Sequence, residues 1–105
     1  MRVIAQGDLL DLITTGKSRR YLSVSRNKEL MRGLRKAVGI MMSADNVREL
    51  ASFSYLHYEK LKYEYSGKSS VRLSNRYVHR LIFEEQEDGL ALILIEINDT
   101  HYGNK

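Results

Sequence analysis

Residues 89–97, GLALILIEI, constrain this chain more than any other stretch. Apolar side chains fall on odd and even positions alike, so both faces of an extended segment would be covered, the pattern of a central strand. Such a strand needs partners, and two lie just upstream. SSVRL (69–73) and YVHRLIF (77–83) are rich in β-branched and aromatic residues, the composition of strands. Between the second of these and the apolar run, EEQEDG (84–89) reads as a polar hairpin connection with Asp88 and Gly89 as its turn signal. If Phe83 faces Leu90 across that hairpin, Ile97 falls opposite Arg76. Asp99, His101 and Tyr102 would then emerge beside the turn at residues 74–77.

Before residue 55 the period is helical. From Lys28 to about Met42, Leu30, Leu34, Ala37, Val38 and Met41 share one face, with Arg32, Arg35 and Lys36 elsewhere. Asp8 is placed to cap an earlier helix on which Leu9, Leu12 and Ile13 align, and Gly16 fits its stop. RVIA (2–5) reads as a short edge strand, and KSRRYLSVSRN (17–27) as a connection. Ser43 or Asp45 restarts a shorter helix through Val47, Leu50 and Ala51 to about Phe53. The expected fold class is α+β, with N-terminal helices covering one face of an antiparallel meander.

At 105 residues the chain is expected to form a single domain over residues 1–105. It has no cysteine, which removes disulfides, zinc–thiolate sites and thiol catalysis together. No apolar run approaches the roughly 20 residues of a membrane span, and the acids in MRVIAQGDLLDLI interrupt any signal-like core. A soluble cytoplasmic protein with no membrane partner is expected. The net charge of +4 is unevenly spread. Residues 1–36 hold nine Lys/Arg against three acids, and residues 57–80 hold six against two, whereas the last 25 residues carry six acids and one lysine. Clustered cations suit a polyanion, because each phosphate contact releases counterions. The same charges also fit a merely solvated helix face.

All three histidines, His57, His79 and His101, lie in the β half. Metal-free RNA cleavage needs one group to take the proton of the 2′-hydroxyl, another to protonate the departing 5′-oxygen, and cations to hold the growing phosphate charge. Histidine suits the proton transfers and guanidinium the phosphate. LHYEKLK (56–62) supplies His57, Lys60 and Lys62; the strands supply Arg72, Arg76 and Arg80; the tail IEINDTHYGNK supplies Asp99, His101 and Tyr102. Each has an ordinary reading too. His79, between Val78 and Arg80, reads as structural, and the arginines suit cross-strand pairing with Glu84 or Glu96. Tyr55, Tyr58, Tyr63 and Tyr65 fit base stacking or simple packing. The terminal His101 and Tyr102 close no core.

In this order and spacing, DLLDLITTGKS, NVRELASF, LHYEKLK, SVRLSNRYVHRLIF and IEINDTHYG make the chain similar to the HigB branch of the RelE/ParE toxin superfamily, the plasmid maintenance system killer proteins, over essentially its whole length. The resemblance implies a two-helix layer against a curved antiparallel sheet. It also implies a toxin of a type II toxin–antitoxin system, a ribosome-dependent mRNA endoribonuclease (mRNA interferase) using 2′-hydroxyl attack without metal or cofactor. Expected partners are a HigA-like helix-turn-helix antitoxin, the 70S ribosome and mRNA. By position, the resemblance assigns catalytic roles to His57, Lys60, Arg80, Asp99, His101 and Tyr102, and RNA or phosphate binding to Arg72. Arg76 and Lys62 join the phosphate-binding set as neighbouring cations. The turn between Arg72 and Arg80 is about two residues longer than in relatives, which leaves Arg76 a candidate for either arginine's role. The tail order Asp-Thr-His-Tyr leaves open which of His101 and Tyr102 is acid or base. Within the same superfamily, ParE-like members inhibit DNA gyrase and cut no RNA. A plain basic nucleic-acid-binding module would also account for the charge, though not for the tail.

Overall fold

The computed structural model describes residues 1–99. Its elements run β1 (Arg2–Ile4), α1 (Gly7–Thr15), α2 (Leu22–Ser25), α3 (Lys28–Ser43), α4 (Val47–Ala51), β2 (Glu59–Lys60), β3 (Lys68–Arg72), β4 (Arg80–Gln86) and β5 (Ala91–Asn98). Single 3-10 turns at Ser54–Leu56, Tyr63–Tyr65 and Glu87–Gly89 join the later ones. Five strands form one sheet in the order β1-β5-β4-β3-β2. The expected antiparallel meander is β3 to β5; β2, not expected as a strand, adds to it beside β3, and β1 extends it by pairing in parallel with β5, Val3 opposite Leu92. The apolar run is thus flanked on both sides, as its two-faced pattern requires.

The amphipathic α3 buries Leu30, Met31, Leu34, Ala37, Val38 and Met41 against Val71, Leu81, Phe83 and Leu92 of the sheet, with Leu9, Leu12 and Leu50 from the other helices completing the core. Its start is fixed by Asn27, whose side chain accepts from the Leu30 N–H. Gly16 ends α1 in the left-handed conformation, its N–H returning to the Leu12 carbonyl, as expected. Asp8 lies in the first turn rather than at the cap, because the helix already begins at Gly7; there its charge still suits the helix dipole. The stretch expected to be wholly connection contains α2, a single turn anchored by buried Val24. Neither Ser43 nor Asp45 caps α4. Ser43 still belongs to α3, and Asn46 accepts the Glu49 N–H.

The hairpin register differs from the expected one. Phe83 pairs with Leu94, not Leu90, and Ile97 pairs with Leu81, not Arg76. The acidic residues 84–86 read as loop but continue β4, because their polar groups find partners. Glu85 accepts from the Tyr58 and Ser69 hydroxyls, and Gln86 donates to Glu84. The reversal is confined to residues 87–90, where Glu87, Asp88 and Gly89 have φ of 51°, 55° and 84°. A register shift between Ile82 and Phe83 widens the offset from four residues to five, an irregularity of the β-bulge kind that adds local bend. The chain therefore leaves the sheet beside Arg80, and Arg76 sits in the connection beyond the strand ends.

Candidate nucleic-acid and catalytic site

Because neighbouring strand residues alternate faces, Val71, Leu81 and Phe83 point to the helices while Ser70, Arg72, Arg80, Ile82 and Asn98 lie on the other face. On this second face one rung runs Arg72, Arg80, Asn98 across three strands. Two guanidinium side chains on directly opposed residues repel, so something must answer them. For Arg80 the answer is local. Only 8% exposed, it donates through Nε to Ser70 Oγ at 2.7 Å, through Nη2 to the His57 carbonyl, and lies 3.5 Å from a Glu59 carboxylate oxygen. Arg72 is different: its Nε is buried and has no hydrogen-bond partner among the described residues.

The His57 backbone is left-handed, with φ 49° and ψ 51°, at the end of the turn Ser54–Leu56. That region is sparsely populated for a residue with a side chain. The bond from Arg80 holds it there. The exposed ring reaches Asn75 with Nε2 3.2 Å from Oδ1. Asn75 belongs to the β3–β4 connection, which is tied to α3 where Ser74 Oγ donates to Glu29 and where Arg76 approaches the same carboxylate at 3.3 Å.

The expected cations do not all converge. In β2, Glu59 pairs with Ser70 and Lys60 with Ser69, so it is Glu59 that faces Arg80. Lys60 instead borders a shallow groove with Arg48, Tyr58 and Glu85. Lys62 is exposed at the start of the turn Tyr63–Tyr65, and Arg76 is exposed on its loop. Asp99, exposed, shares a small polar pocket of about 200 Å³ with Arg20, Tyr21 and His79. The Nδ1 of His79 is buried there without a partner among the described residues. His101 and Tyr102 lie outside the described residues.

Residue-type reasoning passed over Glu59, Ser70, Asn75 and Asn98, and read Tyr65 only as stacking or packing. Ser70 and Arg72, polar residues on either side of the core residue Val71, carried the one readable signal: a second face that is not core. Tyr65 closes that face, its hydroxyl donating to Glu96 at 2.8 Å and accepting from Asn98 Nδ2 at 2.9 Å. The carboxylate of Glu96, with burial behind it, raises the Tyr65 pKa. At Tyr58, burial and then the bond to Glu85 push the phenol up to about 12. Both tyrosines are thereby held neutral, as hydrogen-bond donors.

No family model and no curated protein matches the chain. Solved structures do. A YoeB dimer from Staphylococcus aureus aligns with a TM-score of 0.59 at 16% identity, covering 97% of this chain and 98% of that one. The toxin of a heterotetrameric YoeB–YefM toxin–antitoxin complex from the same organism aligns at 0.55 and 16%, with the same coverage. The fold is that of the YoeB-type toxins. A YoeB/ParE toxin from Agrobacterium tumefaciens follows at 0.54 and 14% identity, over 96% of this chain and all of that one. At such identities the YoeB likeness is one of architecture, whole chain against whole chain, and roles must be argued from side chains.

Proposed function

We propose that this chain is the toxin of a type II toxin–antitoxin pair, close to the HigB type, and that it cuts mRNA on the ribosome by metal-free 2′-hydroxyl attack. The observation that carries the reading is the rung Arg72, Arg80, Asn98: two arginines stand in register at the strand end from which the chain continues to Asp99, His101 and Tyr102. Glu59 answers only Arg80 of this like-charged pair, and a phosphodiester would supply an anion for Arg72. Arg72, half-buried and without an ion pair among the described residues, is the phosphate-binding group. Arg80 is committed to Ser70, Glu59 and the His57 carbonyl, so it acts by holding His57 in place and by adding positive potential.

In the reaction the 2′-oxygen attacks phosphorus and the P–O5′ bond breaks, leaving a 2′,3′-cyclic phosphate and a free 5′-hydroxyl. One imidazole takes the 2′-proton and an acid returns a proton to O5′. We assign the first candidate for proton transfer to His101 and the second to His57. Tyr102 positions or stacks a base, and Asp99 orients the tail. Lys60, Lys62 and Arg76 contribute to the field that draws in the strand. A HigA-like helix-turn-helix antitoxin is the proposed partner; the pairing of a YoeB fold with YefM in a toxin–antitoxin complex supports an antitoxin of some kind.

The test is expression with and without the product of the adjacent gene, followed by mapping of mRNA 5′ ends. Expression alone should arrest translation and give new 5′-hydroxyl ends that vanish in His101→Ala. Intact mRNA with stalled replication would overturn the nuclease in favour of gyrase inhibition.

A further inference from the structure

Between the exposed side of α3 and the β3–β4 connection runs a groove of about 190 Å³, lined among others by Arg32, Lys36, Tyr55, Arg72 and Asn75. It exists because α3 and the loop touch backbone to backbone at Gly33, where a Cβ would stand 1.8 Å from the Leu73 carbonyl oxygen. Three cations line it against one carboxylate, Glu29, which is already engaged by Ser74 and Arg76. Arg32 and Lys36 are exposed and have no ion pair among the described residues. Tyr55 is 41% exposed, and the Lys36 ammonium rests 4.5 Å from its ring centroid. The groove joins the candidate site at both its shared residues: Asn75 holds the His57 ring, and Arg72 opens the rung to Arg80.

We propose that this groove is a subsite for single-stranded RNA flanking the scissile phosphate, with Tyr55 as the base platform and Arg32 and Lys36 on the adjoining phosphates. The proposal rests on the nuclease reading and names the path of its substrate. An aromatic face beside unpaired cations is the combination that single strands use, stacking plus backbone charge. The contact of Lys36 with Tyr55 is replaceable. A cation over an exposed ring is held more weakly than a stacked base, and the lysine stem is long enough to swing its charge to the next phosphate as the base arrives. An acidic peptide would use the cations and leave the ring idle, so the tyrosine separates the two ligand classes.

The probe is a fluorescent 2′-O-methyl RNA octamer, which binds but cannot be cut, read by anisotropy over a salt series. Tyr55→Leu should weaken binding about tenfold with little change in salt slope. Arg32→Ala with Lys36→Ala should flatten the slope of log affinity against log salt by roughly 0.7 per lost phosphate contact. Arg19→Ala with Arg26→Ala, a basic pair lining a separate groove by α2, should have the smaller effect. An octamer of glutamate should bind wild type and Tyr55→Leu equally weakly. The proposal is overturned if Tyr55→Leu binds RNA like wild type while its melting temperature is unchanged, if the Arg19/Arg26 pair matters as much, or if the glutamate octamer binds as tightly as RNA. Since the probe requires no chemistry, loss of mRNA cutting with intact octamer binding counts against the nuclease alone, and the reverse against the groove alone.

Discussion

The buried guanidinium of Arg80 donates to the backbone carbonyl of His57, so a strand in the sheet fixes the conformation of an exposed histidine 23 residues upstream. The same side chain holds Ser70 and Glu59, and the left-handed backbone at His57 depends on that hold. Position and charge of the candidate site thus meet in one residue that is itself almost closed to solvent.

Arg80→Lys should therefore behave as a structural lesion. An ammonium cannot reproduce the planar fork that reaches Ser70, Glu59 and a carbonyl at once, and of the groups left behind Ser70 is fully buried. A loss of about 2–3 kcal/mol is expected, read as a lower urea midpoint with unchanged slope. Amide exchange near His57 should quicken in the same variant. Wild-type stability with exchange unaltered at His57 would mean that the turn holds itself.

Two glycines of α3 should respond with opposite signs. Glycine in a helix interior ordinarily costs about 1 kcal/mol relative to alanine, and at Gly39 a Cβ meets nothing within 4 Å, so Gly39→Ala should raise the melting temperature. At Gly33 the Cβ would stand 1.8 Å from the Leu73 carbonyl oxygen. There the clash exceeds the propensity gain, and Gly33→Ala should cost roughly 1–3 kcal/mol as α3 and the loop separate. Thermal melts of the pair decide it, and a shift of the same sign in both would refute the close approach.

What the sequence made legible follows from periodicity. The buried face of α3 and the two-faced run of β5 were readable because many residues repeat the same message. The register was not, since Glu84, Glu85 and Gln86 carry loop-like chemistry and are kept in the strand by partners, Tyr58 and Ser69, that only the fold brings near. α2 was missed because one turn around Val24 leaves no period to detect. At the site, Arg72, Arg80 and His57 could be named by residue type. That Arg80 would be buried and Lys60 would turn away from it depends on strand alternation and register, and the hairpin register differs from the expected one by four to five residues. The left-handed conformation of His57 has no sequence mark, as no glycine stands there to signal it.

The proton-transfer assignment predicts an ordered pair of losses. His101→Ala should reduce cleavage by roughly 10²- to 10⁴-fold, the usual worth of a positioned acid or base, with stability within about 0.5 kcal/mol of wild type. His57→Ala should cost less in rate. If His57→Ala is the more severe, the order of the two roles is reversed. His57→Asn keeps a polar group able to reach Asn75 and should restore position but not proton transfer, so it should cleave no faster than His57→Ala.

Alkali should weaken the fold through Tyr58. Burial and the Glu85 carboxylate hold its phenol pKa at about 12, above the ordinary 10.0, so the folded state keeps a proton that the unfolded chain gives up. The contribution is complete below about pH 10 and fades as the pH climbs toward 12, because the folded state binds more protons across that window. In Tyr58→Phe the contribution is absent throughout. The variant should be about 1 kcal/mol less stable near neutrality, and the gap between its urea midpoint and that of wild type should narrow as the pH rises from 10.0 toward about 12. Tyr65→Phe is the comparison, since its phenol is also raised, mainly by Glu96; the double variant should show the flattest alkaline profile. A gap that stays constant over that range would mean that the phenol of Tyr58 is not held neutral by Glu85, and with it would go the explanation of why the acidic stretch 84–86 remains in the strand.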